Sequence, residues 1–500
     1  MSIREDIIQN YNDLCDTFEE KVTRDKYRKY GNYKTSLIDK VFGSWKDFMS
    51  EISYQVTVGR GKQIIEKTTY SDKVLITSVV DGTDINEDCL KTLLNYARIN
   101  NCEFYILWGK PIKSGKFFNE KTYNLIKPYL VTNLDFKLDT RCKAKDLFIP
   151  YNQKNPLINL DKLSNYVTTN IVGSPKQYMK ILPYDYNDSY KLAWSTGTIS
   201  EISYEQTISG QLDQQNHTFG ALFLEYNSMV GRYNVRNLIY KDGEIIDLDN
   251  SYTATNVSKE KSIPAMVMGD LHLPEEDPES MNYAISIIRE LNIKTVILHD
   301  IFSLNSISHH NFNQPLTRYL NRTLESKTLE TEMLIASERL DNFVNNNPST
   351  DFMVIHSNHD DFVTKYLNNC DFTHDTENVV AAMELFLDMV KGKNPLSKYL
   401  TANNITFLPP GQSFQISDFE LGQHGSCGIA GARGSAQSYS KTYTKSISGH
   451  THSPATFETS VVVGTNSNIR LTYNKEGISN WAHNNALIHR NGTYQHLFWD

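Results

Sequence analysis

Cysteine is scarce in this chain: six in 500 residues (Cys15, Cys89, Cys102, Cys142, Cys370 and Cys427), none in a Cys-x-x-Cys pair. That scatter excludes a disulfide framework and a thiolate zinc cluster, and leaves the reduced thiols of a cytoplasmic protein as the expectation. Long apolar runs are absent as well; a bilayer-spanning helix needs about 18 such residues. The opening Met1-Ser2-Ile3-Arg4-Glu5-Asp6 lacks the apolar core of a signal peptide, so neither membrane association nor export is expected. A basic excess is missing: 50 Lys and Arg stand against 58 Asp and Glu, a net charge of -8. This excludes a uniformly basic nucleic-acid coat but leaves room for a local basic surface or an acidic pocket that takes up cations. Long internal sequence repeats and low-complexity tracts are absent. Histidine is nearly missing from the first half: of 14, only His217 precedes residue 261. Metal-ligand and acid–base chemistry therefore belongs to the C-terminal half.

What is present suits a soluble globular chain: 39% hydrophobic and 22% charged residues, with a mean hydropathy of -0.46. At roughly 150 residues per domain, about three domains are expected. Texture divides the chain accordingly. Residues 1–55 read as a helical module, with Ile7, Ile8, Tyr11, Leu14 and Phe18 at helical spacing. Its basic residues include Lys26, Arg28, Lys29, Lys34 and Lys46, interleaved with Tyr27, Tyr30, Tyr33, Phe42 and Trp45. Such a module predicts phosphate neutralisation on DNA, the other reading being a solvated helical face.

Residues 65–258 read as an α/β accessory domain. Lys73 to Val80 is a buried strand, Asn86 to Ile99 an amphipathic helix and Glu103 to Trp108 a second strand, a parallel βαβ unit. Thr196-Gly197-Thr198 lacks the glycine spacing and lysine of a phosphate loop. Structural support or substrate positioning is the expected role.

Residues 262–500 alternate strands and helices, and five motifs close predicted strands: Gly269-Asp270-Leu271-His272, His299-Asp300, Ser357-Asn358-His359-Asp360, Gly422-Gln423-His424-Gly425 and Gly449-His450-Thr451-His452. Ligands of α/β sheets gather where strand C-termini meet, so these loops predict one cluster of oxygen and nitrogen donors. Carboxylate, amide and imidazole together suit Mn²⁺, Fe²⁺ or Zn²⁺.

This order of motifs resembles the calcineurin-like metallophosphoesterase superfamily. The resemblance implies an α/β fold with a two-sheet sandwich core, a phosphoesterase activity and two divalent metal ions, with Mn²⁺ the expected choice and Mg²⁺, Fe²⁺ or Zn²⁺ the alternatives. It implies that Asp270, His272 and His452 hold one ion, that Asn358, His424 and His450 hold the other, and that Asp300 bridges them. His359 is then the general acid and Asp360 the residue that orients its ring. The superfamily carries Gly where this chain has His299 and Ser357, which puts the local backbone there in question. His309, His310 and Arg433 are candidate substrate contacts. His356 is expected to pack in its strand, and His374, His483, His489 and His496 to be structural or exposed.

Further matches, among them Asn305, Ser453-Pro454 and Gly464-Thr465, look like a phage branch of the superfamily that includes early DNA-degrading, first-step-transfer DNases, with a core similar to SbcD-type repair nucleases. Residues 30–48 are similar to a small helical repeat found beside homing endonucleases. The function so implied is a Mn²⁺-dependent DNase that cuts phosphodiester bonds in the host cytoplasm, with DNA as partner and a homo-oligomer open. Two alternatives stand beside it: a phosphoesterase for a small substrate such as a cyclic nucleotide or for a phosphoprotein, and a non-catalytic DNA-binding or assembly protein.

Overall fold

Short β-branched runs separated by polar turns dominate residues 66–500, and in the computed structural model they build three large sheets. The structure describes residues 3–18, 22–50, 65–109, 120–147, 149–163, 167–185, 189–308, 314–323, 328–471, 474 and 477–499. Two compact units result, Met1–Ile65 and Glu66–Asp500.

The smaller unit is helical, as its periodicity predicts, with helices Ile3–Phe18, Arg24–Tyr30 and Thr35–Phe42 and helical residues 45–50. Thr23 caps the second helix by accepting from Lys26 N at 3.3 Å. Ile7, Tyr11, Tyr27, Ile38, Phe42 and Phe48 form its core. Tyr27 and Phe42 therefore pack inward. Arg28, Lys29, Lys34 and Lys46 are exposed and Lys26 is half-buried.

In the larger unit, a six-stranded sheet runs in the order 405–408, 351–355, 295–298, 265–267, 484–488, 494–498. The first four strands are parallel and the closing hairpin is antiparallel. One face carries helices Pro278–Glu290, Leu329–Asn345, Asp360–Asn368 and Val379–Val390, sealed by Met333, Leu340, Val296, Leu298 and Phe352. The other face, through Ala265, Val267, Ile297 and Ile355, packs on Phe419, Leu421, Ile447 and Val461 of an eleven-stranded sheet. Two helices, Pro315–Thr323 and Leu329–Asn345, precede strand 351–355.

The sequence divides 65–258 from 262–500, but residues 66–500 form one unit. The reason is β-pairing across that boundary. Strand Ala455–Phe457 pairs antiparallel with Met179–Leu182, joining upstream and downstream strands in the one eleven-stranded sheet. A third sheet, of eight strands, packs on it through Val74, Ile76, Leu107, Leu222 and Leu224 against Phe136, Ile171, Leu192 and Trp194. The buried Asn237 ties this sheet to the six-stranded one: its Nδ2 donates to Tyr494 O at 3.0 Å and its Oδ1 accepts from His496 N at 2.9 Å.

Candidate metal centre

Parallel pairing brings the strand ends 265–267, 295–298 and 351–355 to one rim, and 419–420 and 446–448 likewise run parallel in the facing sheet. The five motif loops leave from these ends. Asp270, His272, Asp300 and His452, all buried, place one donor atom each within 4.8 Å of one another, and Asp300, His424 and His450 do the same. Each group is able to hold a metal ion, and Asp300 belongs to both. Within them His452 Nε2 lies 2.9 Å from Asp270 Oδ2, and His424 Nε2 lies 3.2 Å from Asp300 Oδ2. Asn358 Oδ1 is 3.1 Å from His424 Nε2, which sets the amide in the second group.

The backbone is bent to make this cluster. His272, Asp300, His450 and His452 have φ of 52°, 42°, 74° and 54°, a left-handed conformation costing about 1–2 kcal/mol for an L-residue. Such outliers persist where surrounding bonds over-determine them. Thr465 Oγ1 and Asn466 N each donate to Asp270 O at 2.8 Å, and His450 N donates to Asp270 Oδ2 at 2.9 Å. Gly449 leaves room for that carboxylate: a Cβ there would lie 2.3 Å from Asp270 Oδ1. His299 and Ser357, where the superfamily has Gly, adopt no positive φ; the left-handed residue in the second loop is Asp300 itself.

Two observations show that these residues fit divalent cations. Asp300 Oδ1 is buried without a hydrogen-bond partner, a costly state for a carboxylate unless a cation meets it. The Nε2 atoms of His272 and His452 face each other at 2.9 Å, so two lone pairs converge where at most one proton can sit between them. Burial, with His359 nearby, depresses the His272 pKa to about 3, and burial with the His424 charge depresses His450 to about 4. Both imidazoles are thus neutral at pH 7 and able to ligate. Burial pushes His424 down too, but the adjoining Asp300 carboxylate outweighs it and lifts the ring to about 9. A metal ion held there would displace that proton.

His359 stands beside the cluster, its ring centroid 4.6 Å from that of His272. Its Nδ1 is 2.8 Å from Ser303 O, and a carbonyl can only accept, so Nδ1 carries hydrogen and Nε2 is left for substrate. The expected orienting role of Asp360 is thereby corrected. Asp360 instead accepts from Ser357 N at 2.8 Å, closing the turn before helix Asp360–Asn368. Burial raises its pKa to about 6.

His299 is buried, with Nδ1 3.4 Å from His424 Nδ1. His356 does not simply pack: it is half-buried, 3.2 Å from Asp361 Oδ1. His309 and His310 lie outside the described residues, and Arg433 is exposed on the loop after His424. Sequence reasoning missed Ser303 and also Trp481, whose ring lies 4.0 Å from that of His452. Neither carries a motif; only the fold brings them in. Among the described residues no helix is long and apolar enough to cross a membrane.

No protein-family model matches the chain. It is similar to Protein A1 of Escherichia phage T5, 24% identical over 344 residues that cover 64% of this chain and 61% of that protein. The match thus spans about three-fifths of that relative's length. Among solved structures, a single mutant of Vps29 from Entamoeba histolytica is 13% identical and covers 35% of this chain and 96% of that one, at a TM-score of 0.20. Vps29 of Chaetomium thermophilum, complexed with a cyclic peptide, is 11% identical, covering 38% of this chain and 94% of that one, at a TM-score of 0.21.

Proposed function

We propose that this chain is a metal-dependent phosphodiesterase of the calcineurin-like metallophosphoesterase type, acting as a DNase. The observation that carries the reading is that Asp300 belongs to both ligand groups, the arrangement a bridged pair of cations requires. Asp270, His272 and His452 would hold one ion, Asn358, His424 and His450 the other, and Asp300 both. Two divalent cations, Mn²⁺ in the first instance, supply charge neutralisation on the phosphoryl oxygens and an activated water.

The chain's own residues do the rest. His359, held by Ser303 O through Nδ1–H, presents Nε2 toward the leaving oxygen and, as an imidazolium with both ring nitrogens protonated, donates the Nε2 proton there and is left neutral. Gly449 and the Asp270 bonds hold the ligand cradle in its strained form. Exposed Arg28, Lys29, Lys34 and Lys46 in the helical unit supply cations for the DNA backbone. The similarity to a phage protein agrees with a role in a phage-infected cytoplasm.

Purified protein incubated with end-labelled linear and circular DNA, in Mn²⁺, Mg²⁺ or chelator, tests this. Cleavage that needs the divalent ion is expected. Hydrolysis of a small phosphodiester without DNA cleavage would assign the centre to small substrates, and no hydrolysis of either would overturn it.

A further inference from the structure

The upstream half of the larger unit repeats the wiring of the downstream half. Downstream, strand 265–267 takes three further parallel strands on one side, 295–298, 351–355 and 405–408, of which the first two have upstream counterparts, and the antiparallel hairpin 484–488/494–498 on the other. Upstream, strand 73–80 takes parallel 103–109 and 130–131 on one side and the antiparallel hairpin 220–227/232–241 on the other. The second layers agree as well. Strands 133–136, 142–145, 169–172, 191–195 and 179–182 pair in the same order and senses as 415–416, 419–420, 446–448, 460–462 and 455–457.

Individual bonds fix the equivalence. Thr198 N donates to Thr218 O at 3.0 Å and its Oγ1 to Ser78 O at 2.9 Å. Thr465 N donates to Ala482 O at 3.0 Å and its Oγ1 to Asp270 O at 2.8 Å. A Cβ on Gly173 would meet Ser78 Cβ at 3.2 Å and Leu107 Cβ at 3.3 Å, as one on Gly449 would meet Asp270 Oδ1 at 2.3 Å and His299 Cβ at 3.2 Å. Ser78 thus stands for Asp270, Leu107 for His299, and the following Trp108 for Asp300. Three residues beyond Gly173, at the place of His452, is Lys176, buried and bonded to Asp213 at 2.7 Å. The upstream copy has the fold without the ligands.

The copies meet through equivalent strands, 179–182 against 455–457, where Met179 pairs with Thr456. A cavity of about 560 Å³ opens at this seam, walled by Lys180 from upstream and by Arg433, Thr451 and Trp481 from downstream, and among the described residues none that lines it is Asp or Glu. In a chain of net charge -8, a pocket with two cations, an aromatic ring and no carboxylate among its described lining residues selects an anion that carries bases. Trp481, on the cavity wall, also packs on His452 of the first ligand group, so the cavity lies beside the metal centre. Lys180 Nζ pairs with Asp161 Oδ1 at 3.4 Å, a part-exposed pair that a phosphate can displace.

We propose that the upstream half is a copy of the downstream sandwich that has lost metal binding and holds the substrate, and that the seam cavity binds the nucleic-acid strand flanking the scissile phosphate. This rests on the phosphodiesterase reading above. The test is steady-state cleavage of DNA in Mn²⁺ by the full chain and by Lys180→Glu, Lys180→Arg and Gln437→Lys. Gln437 is an exposed lining residue where an added cation faces the same cavity. Lys180→Glu should raise KM for DNA about tenfold or more with kcat within about twofold, Lys180→Arg should restore KM, and Gln437→Lys should lower it. Wild-type hydrolysis of bis(p-nitrophenyl) phosphate is run alongside. If the small diester is cut but KM for DNA is the same in all variants, the seam proposal falls alone; if neither substrate is cut, the phosphodiesterase reading falls with it.

Discussion

Asp300 lies 3.2 Å from His424 through Oδ2, while its Oδ1 is buried with no partner. One oxygen is thus spoken for by the second ligand group and the other is free for a cation. Asp300→Ala removes the residue common to both groups. Hydrolysis should fall on the order of 10³-fold, and bound Mn²⁺, counted by titration calorimetry and elemental analysis, should drop from two ions per chain to one or none. Full activity in this variant would remove the bridging role.

His359 is held by a backbone carbonyl and not by a side chain, so its geometry survives changes at Asp360. His359→Ala should retain both metal ions and lose about 10²–10⁴-fold in kcat. Asp360→Asn should cost far less in kcat, because its loss disturbs the Ser357 turn and not the His359 ring. Equal kcat losses in the two variants would restore Asp360 as the orienting group.

Which parts of this arrangement sequence could show follows from the range of the interactions involved. The five ligand loops are each a few residues long and follow apolar runs, so strand ends such as Val267 and Leu298 and their motifs stand side by side in the chain. The helix Glu87–Asn100 is equally local, with Asn86 capping it by accepting from Cys89 N. The pairing of 179–182 with 455–457 is not local, and two short strands carry no mark of their partners. The repeated wiring is hidden for a related reason: backbone register is kept while Ser78 stands where Asp270 does and Leu107 where His299 does, and the identities that remain, Thr198 with Thr465 and Gly173 with Gly449, are too isolated to mark it. Ser303 is invisible because only its carbonyl is used.

Buried histidines away from the metal centre set an acid limit. Burial depresses His217 and His489 to about 4 and His496 to about 3. Burial holds His496 neutral, with Nε2 facing the Thr456 hydroxyl at 2.9 Å and Nδ1 facing Asn484 Oδ1 at 3.1 Å. The unfolded chain protonates all three below about 6.5, while the folded chain does not until near pH 4 to 3. The share of stability these three groups contribute is therefore full above about pH 6.5 and falls as pH drops toward the folded values, by up to about 1.4 kcal/mol per pH unit for each group. Urea unfolding from pH 7 to 5 should show this, and His496→Gln should lessen the slope by roughly one group's share. A slope unchanged by that variant would mean His496 is already charged in the fold.

Asn237 tests whether the two sandwich halves fold as one. It is 1% exposed, and its amide spends one end on Tyr494 O and the other on His496 N. Asn237→Ala leaves both backbone groups buried and unpaired, at roughly 1–3 kcal/mol each. Asn237→Asp keeps the acceptor for His496 N but has no hydrogen for Tyr494 O, and adds a buried charge, so shape alone cannot rescue it. If the halves are one cooperative unit, Asn237→Ala lowers the urea midpoint of a single transition, followed by tryptophan fluorescence and by circular dichroism alike. Two separated transitions, with only one of them moved, would show instead that the shared sheet does not couple the halves.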